Sequence, residues 1–372
     1  MLDVYLITLA LAVGIGFGAT LILLAASRTE RLAGIFQKAR GADERPRWGG
    51  LAILLAFAIT PFVASAISDE ANSFFTPKSG EFLAFLGAGT LIFAIGFLDD
   101  LKLLSWKPKL AVQIAAAAAV YAAGYQLDEI GLPWGPELSF GFFAPVLTVL
   151  WIIFFTNAIN LIDGRDGVAL GVTILAAVTL AQVAASAHHP TVALLLIALA
   201  GGGLGMLVFN LPPASVYLGD SGAYLLGFIL GALSIRAATG VEDIVFVAVP
   251  IFALGFPILD AVLAFVRRIA DHRHPLMGDQ EHIQHRLEDA GFGPRGLLLM
   301  VYGISALFAS GAILLHYVHV FPLEVAVAGS TLLMIMFILT KLGYVLTLWN
   351  SASFVWLRRR LRWVDEPVSA EN

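Results

Sequence analysis

Long apolar runs alternate with short polar connections along the whole chain. Runs of about 17 to 25 residues, enough to cross a hydrocarbon core of roughly 30 Å at about 1.5 Å per residue, fall at 2–26, 48–67, 82–98, 110–125, 142–160, 168–187, 191–211, 222–239, 244–266, 296–316 and 321–340. The pattern predicts an all-α polytopic membrane protein of about eleven transmembrane helices, with its termini on opposite sides. Pro250 and Pro257 interrupt the ninth run and predict a bend there. The first run has no basic start and reads as a retained span rather than a cleaved signal. Gly201-Gly-Gly-Leu-Gly205 lies inside the seventh run. Its small residues suit close helix packing, and no strand precedes it to make a nucleotide loop.

Charge orients these spans. Nineteen of the 22 Lys and Arg residues fall in the connections of one face, at about 27–47, 99–109, 157–167, 212–221 and 267–295, or in the tail. Only Lys78 and Arg236 fall on the other face, and Lys341 closes the last run. Positive residues concentrate in cytoplasmic loops, so the amino terminus is expected outside and the carboxyl terminus in the cytoplasm. Residues 1–341 then form one multi-span domain. The segment 342–372, with Trp349, Trp356, Trp363 and a basic cluster, suits a cytoplasmic interfacial tail and equally suits a continuation of the last span. Trp48, Trp106, Trp134 and Trp151 lie near span ends and read as interface belts.

Composition agrees: hydrophobic residues make up 59% and charged residues 13%, against roughly 25% charged in soluble domains. The absence of cysteine excludes disulfides, thiolate metal sites and cysteine nucleophiles. Any metal would be held by carboxylate, imidazole or water.

Four polar clusters fall on the basic face. Asn157-Ala-Ile-Asn160-Leu-Ile-Asp163-Gly-Arg-Asp166-Gly ends the fifth run with two amides and two carboxylates, which are costly at a bilayer edge unless they bind something. The adjacent acids Asp99 and Asp100 repel one another unless a cation or proton intervenes, although pairing with Lys102 and Lys107 explains them as well. Asp220, in Gly219-Asp-Ser-Gly222, could simply cap the eighth run. His282 and His285, three apart, share one side if helical. Several carboxylates without thiols describe a hard-cation site, most plausibly Mg²⁺, with phosphate as the expected co-ligand. The neighbouring cations Arg45, Arg47, Lys102, Lys107, Lys109, Arg165 and Arg286 suit a polyanion, while each alone follows the charge rule. His188 and His189, in an outer connection, have no acidic company.

Taken together, these motifs resemble the polyprenyl-phosphate N-acetylhexosamine-1-phosphate transferases. This is glycosyltransferase family 4, which includes phospho-MurNAc-pentapeptide transferase and dolichyl-phosphate GlcNAc-phosphotransferase. The resemblance runs through Pro46-Arg-Trp-Gly-Gly50, Asp99-Asp100 with Lys109 and Gln113, Asn157 to Gly167, Tyr217-Leu-Gly-Asp-Ser-Gly222 and the loop histidines.

The resemblance implies transfer of a sugar 1-phosphate from a UDP-N-acetylhexosamine to undecaprenyl or another polyprenyl phosphate, with release of UMP. The reaction would occur at the cytoplasmic face of a bacterial inner membrane and initiate a surface polysaccharide. It further implies Asp220 as the leading Mg²⁺ ligand, with Asp100 supporting the metal or Lys109, and Mn²⁺ as a substitute. Asp99 would be the base that prepares the lipid phosphate, and His282 would approach the diphosphate. Arg47, Lys109, Asn157, Asn160, Asp163, Asp166, His285 and Arg286 would bind substrate, and Tyr217 would stack on uracil.

Two positions depart from the family pattern. Arg165 stands where an aliphatic residue is usual, and Gln284 where relatives often carry histidine. The loop also lacks a triple histidine, and eleven spans exceed the ten usual of the MurNAc-pentapeptide enzymes, so UDP-GlcNAc is favoured over that alternative. A lipid or solute transporter is the rival from another class, but its acids would sit near the midplane. No nucleic-acid partner is expected, and a homodimer is left open.

Overall fold

A computed structural model of the 372-residue chain describes residues 1–27, 45–132, 135–238, 245–270, 282–318, 320–341 and 343. Every apolar run named above is helical within these residues. The helices are α1 (Leu2–Ser27), α2 (Gly49–Ile67), α3 (Asp69–Phe75), α4 (Ser79–Lys102), α5 (Trp106–Ala122), α6 (Ala144–Ile162), α7 (Val168–Ser186), α8 (Pro190–Asn210) and α9 (Gly219–Ala238). They continue with α10 (Val245–Ala253), α11 (Gly255–Ala270), α12 (Ile283–Asp289), α13 (Pro294–Tyr317) and α14 (Phe321–Lys341).

The chain is a multi-pass membrane protein. Among the described residues eight helices are long and apolar enough to cross a bilayer, nine if α10 and α11 are one broken span. The two remaining runs form α5, 17 residues long, and the enclosed α9. The expected bend in the ninth run is an 81° break between α10 and α11. One element escaped the apolar pattern and corrects a purely helical reading. Strands β1 (Glu129–Leu132) and β2 (Gly135–Ser139) pair antiparallel between α5 and α6. Their nine residues are too few and too polar to register as a span. The proposed tail 342–372, apart from Gly343, and most of the 27–47 connection lie outside the described residues, as do 271–281.

Helix α9 is the axis of the bundle, buried from Ser221 to Ile235 and packed against α2, α4, α6 and α7. Peripheral helices contrast with it: only 17% of the most apolar stretch of α14 and 22% of that of α1 are buried, against 78% for α7. Exposed apolar faces of this kind suit a lipid surrounding.

Small residues let backbones meet at the start of α9. A Cβ on Gly50 of α2 would lie 2.5 Å from the Gly222 nitrogen, and one on Gly96 of α4 would lie 2.6 Å from the Ser221 Cα. The Gly201–Gly205 run has the packing role expected of it, since a Cβ on Gly16 of α1 would stand 2.5 Å from the Gly202 carbonyl oxygen. Trp151 corrects the belt reading. It is an internal tie, its Nε1 donating to the Gly231 carbonyl and the Ser234 hydroxyl of α9, both at 3.1 Å.

Candidate active site

The first turn of α9 has backbone N–H groups with no partner inside the helix. Asp100, at the end of α4, supplies one from outside: its Oδ1 accepts from the Asp220 N–H and its Oδ2 from the Ser221 N–H, both at 3.0 Å. Gly219 makes this approach possible. Its φ of +77° favours glycine, and a Cβ there would lie 2.8 Å from Asp100 Oδ2. The anionic anchor also matches the positive end of the helix dipole.

Asp99 points elsewhere. Its Oδ1 accepts from the Leu104 N–H at 2.6 Å and its Oδ2 from Lys109 Nζ at 2.8 Å. The partner is therefore Lys109, not the Lys102 or Lys107 of the simpler explanation. Asp99 also lies within hydrogen-bonding reach of the Asp220 carboxyl. Both aspartates are buried, at 3% and 5% exposure, so neither is a surface acid.

In front of Asp220 opens a cavity of about 840 Å³, lined by Arg47, Asp163 to Asp166, Asn210, Tyr217 to Asp220, Glu288 and Arg295 among others. The turn after α6 forms one wall. Gly167 starts α7 at φ +79°; its N–H reaches Asn210 Oδ1 at 3.0 Å and its carbonyl accepts from the Tyr302 hydroxyl at 2.8 Å. Asp166 Oδ2 accepts from the Ala214 N–H at 2.9 Å, tying the turn to the 212–218 segment. Burial pushes the Asp163 carboxyl well above the usual carboxylate range; the charges of Asp220 and Asp100 push the same way, and Arg47 opposes them.

The opposite wall joins the entry to α2 with the entry to α9. Tyr217 N–H donates to the Pro46 carbonyl at 2.8 Å, and Gly49 N–H to the Tyr217 carbonyl at 3.0 Å. The Arg45 and Arg47 guanidinium groups lie 4.5 and 5.7 Å from the centre of the Tyr217 ring. Cations thus already face the ring expected to stack on a base.

The third wall is α12. His282 precedes it, with its Nδ1 2.6 Å from Asp260 Oδ2 of α11. Gln284 is 4% exposed. It packs on Gly164, and its Oε1 has no hydrogen-bond partner. Glu288 grips Arg165 in a two-pronged pair, with His285 Nδ1 3.2 Å from Arg165 Nη2. The Arg165 hydrogen bonds hold the Glu288 carboxyl below its ordinary range.

The structure therefore brings Arg47, Asp163, Asp166, Tyr217 and Asp220 to one cavity, with Asp99, Asp100 and Lys109 behind Asp220. Asn157 is not among the residues that line it. Its Nδ2 donates to Gln113 Oε1 at 2.8 Å, joining α6 to α5. Asn160, His282, His285 and Arg286 are not among the lining residues. Sequence reasoning missed Asn210, Asp260 and Glu288. Asp260 had a visible signal, being a lone carboxylate inside an apolar run, whereas Glu288 looked like an ordinary loop acid. Among the described residues no three His, Asp or Glu side chains converge into a metal cage by themselves.

A model of glycosyl transferase family 4 matches residues 82–238, the stretch that holds Asp99, the 157–167 turn and Asp220. The chain is 34% identical over 271 residues to the "probable undecaprenyl-phosphate N-acetylglucosaminyl 1-phosphate transferase" of Bacillus subtilis, covering 73% of each. The chain belongs to glycosyl transferase family 4. Other relatives in the family are the decaprenyl-phosphate N-acetylglucosaminephosphotransferase of Mycolicibacterium smegmatis, 32% identical over 72% of this chain and 71% of its own, and the undecaprenyl-phosphate alpha-N-acetylglucosaminyl 1-phosphate transferase of Escherichia coli K12, 26% identical over 92% of each. Of the two loop histidines, His285 sits on the short helix α12 and His282 immediately precedes it.

Proposed function

We propose that this protein transfers GlcNAc 1-phosphate from UDP-GlcNAc to undecaprenyl phosphate, releasing UMP and leaving undecaprenyl-diphosphate GlcNAc, the first lipid-linked intermediate of a surface polysaccharide. The carrying observation is the cavity at the start of α9, where Asp220 and Asp163 face Arg47, Arg165 and Arg295 in a chain whose relatives bear that activity in their names.

A hard divalent cation fits the donor set. The cavity offers carboxylate oxygens and no thiol, and Asp163 lies in a field of like charges that a cation would relieve. Asp220 would hold Mg²⁺, or Mn²⁺ in its place, with Asp100 fixing the backbone on which Asp220 sits. When bound, the ion supplies charge neutralisation for the diphosphate and template geometry. In Mg²⁺ chemistry waters and substrate phosphates complete the shell, so one or two carboxylates suffice from the protein.

In the reaction an oxygen of the lipid phosphate attacks the sugar-bearing phosphorus of UDP-GlcNAc, and the bond to the bridging oxygen breaks, so UMP departs with that electron pair. Asp99, held by Lys109, would accept any remaining proton on the lipid phosphate. A phosphate monoester is already largely ionised at neutral pH, which favours direct attack over an aspartyl-phosphate intermediate. Arg47, Arg165 and Arg295 would balance the diphosphate charge, and Tyr217 would bear the uracil. Asp163, Asp166 and Asn160 would line the nucleotide side, with His285 and Arg286 contributing from α12.

The basic connections favour an inner-membrane enzyme whose active end is cytoplasmic, amino terminus outside, with α5 and α9 completing eleven crossings. At about 1.5 Å per residue, Arg236 stands roughly 24 Å along α9 from Asp220, at the far end with Lys78, His188 and His189. Acids gathered at one end of the bundle disfavour a transport path. Purified protein in nanodiscs, given labelled UDP-GlcNAc, undecaprenyl phosphate and Mg²⁺, is expected to yield labelled lipid and UMP. A folded sample that makes no lipid product from any UDP-N-acetylhexosamine rejects the proposal, and product only from UDP-MurNAc-pentapeptide reassigns the substrate.

A further inference from the structure

We infer that Asp260 is a positioning residue for His282, and through it for the helix that walls the cavity; the inference rests on the transferase reading and extends it. Asp260 belongs to α11, in a span to which the sequence assigned no function, and is 1% exposed. A buried carboxylate is costly unless it is bonded. Both of its oxygens are used on one partner segment: Oδ1 accepts from the Ile283 N–H at 2.8 Å and Oδ2 from His282 Nδ1 at 2.6 Å.

The first bond satisfies an open N–H at the start of α12. The second fixes the imidazole plane and its tautomer, because an acceptor at Nδ1 requires the proton there. Nε2 is left as the ring atom open to a ligand, and no described group bonds to it. This is the arrangement by which a carboxylate prepares a histidine for a task at its other nitrogen. The same anchored helix carries Gln284 against Gly164 and Glu288 against Arg165, so Asp260 ties α11 to the turn that bears Asp163 and Asp166. His282 is itself buried and is not among the residues that line the cavity, so Asp260 acts on the site through the setting of the imidazole and of α12.

Asp260→Asn tests this, because the amide oxygen still accepts from Ile283 while its NH₂ group forces the opposite tautomer on His282. The expected result is a kcat lower by roughly 10- to 100-fold with KM for UDP-GlcNAc nearly unchanged. In a His282→Ala background the same change should cost less than about 2-fold, as residues acting through one another are not additive. Spectra of ¹⁵N-histidine protein should show His282 protonated at Nδ1 in the wild type and at Nε2 in the variant. Multiplicative losses, wild-type kcat in Asp260→Asn, or a wild-type His282 protonated at Nε2 alone would each overturn the inference. Should Asp260→Asn not fold, Asp260→Glu keeps the carboxylate and is expected to retain the wild-type tautomer and most of kcat; loss of both overturns it. The spectra need no turnover, so a chain inactive with every UDP-sugar sinks the transferase reading without deciding the tautomer.

Discussion

Arg165 meets Glu288 edge to edge, Nε to Oε1 at 2.5 Å and Nη2 to Oε2 at 2.6 Å, across 123 residues of sequence. The pair closes the turn after α6 against α12. An aliphatic residue at position 165 could not do this, so the departure from the family pattern has a partner. Both side chains are more than a third exposed, and such pairs contribute about 0 to 1 kcal/mol. Arg165→Ala and Glu288→Gln are therefore expected to leave folding intact and to raise KM for UDP-GlcNAc a few-fold, with coupling of about 0.2 to 1 kcal/mol in a double-mutant cycle. Independent effects of the two changes would refute the latch.

The same pair should respond to acid in one direction only. The Glu288 carboxyl is held below its ordinary range by the Arg165 hydrogen bonds, so its contribution is complete above the unfolded value of about 4.3 and fades as pH falls through the lower folded value. The melting difference between wild type and Glu288→Gln should stay constant from pH 8 to about 5 and shrink below about pH 4. A difference that disappears instead near neutrality would point to His285 as the controlling group.

Asp100 and Gly219 form a single joint. Replacing Asp100 by Ala orphans one buried and one part-buried N–H group, the buried one costing roughly 1–3 kcal/mol, and Gly219→Ala drives a Cβ into the same carboxylate. Both variants are expected to melt lower and to lose turnover together. Thermal scans beside activity assays check this, and an Asp100→Ala protein of wild-type stability would show that the α9 anchor is elsewhere.

Asp220→Ala should abolish metal-dependent turnover without unfolding the chain, since it is Asp100 that accepts from the Asp220 and Ser221 N–H groups opening α9. Asp99→Asn should cripple kcat while UDP-GlcNAc binding stays measurable by calorimetry. Full activity in either variant removes that residue from the mechanism.

Asp163 makes the test independent of turnover. Burial and the charges of Asp220 and Asp100 oppose its ionisation, so Asp163→Asn is expected to melt higher than wild type in a chelator. Added Mg²⁺ should narrow the gap by stabilising the wild type. An unchanged gap would mean that no cation binds among these acids.

Much of this protein was legible in its sequence. Apolar runs fixed where helices form, because in lipid each backbone group must be satisfied within its own segment. Proline positions foretold the break between α10 and α11, and the polar clusters named Asp99, Asp163 and Asp220, since acids are rarely spent at a membrane edge without use. The tertiary structure decided what those acids face. Adjacent Asp99 and Asp100 diverge, one to Lys109 and one to the start of α9, because successive helical positions point about 100° apart. Asn157 turned out to hold Gln113, and Trp151 to tie α6 to α9. Asp260, 22 residues from His282, became its partner only because the fold sets the start of α12 beside α11. Pairings across such separations leave no trace in local periodicity; they arise from which helix ends the close backbone contacts of Gly50, Gly96 and Gly219 bring to one point.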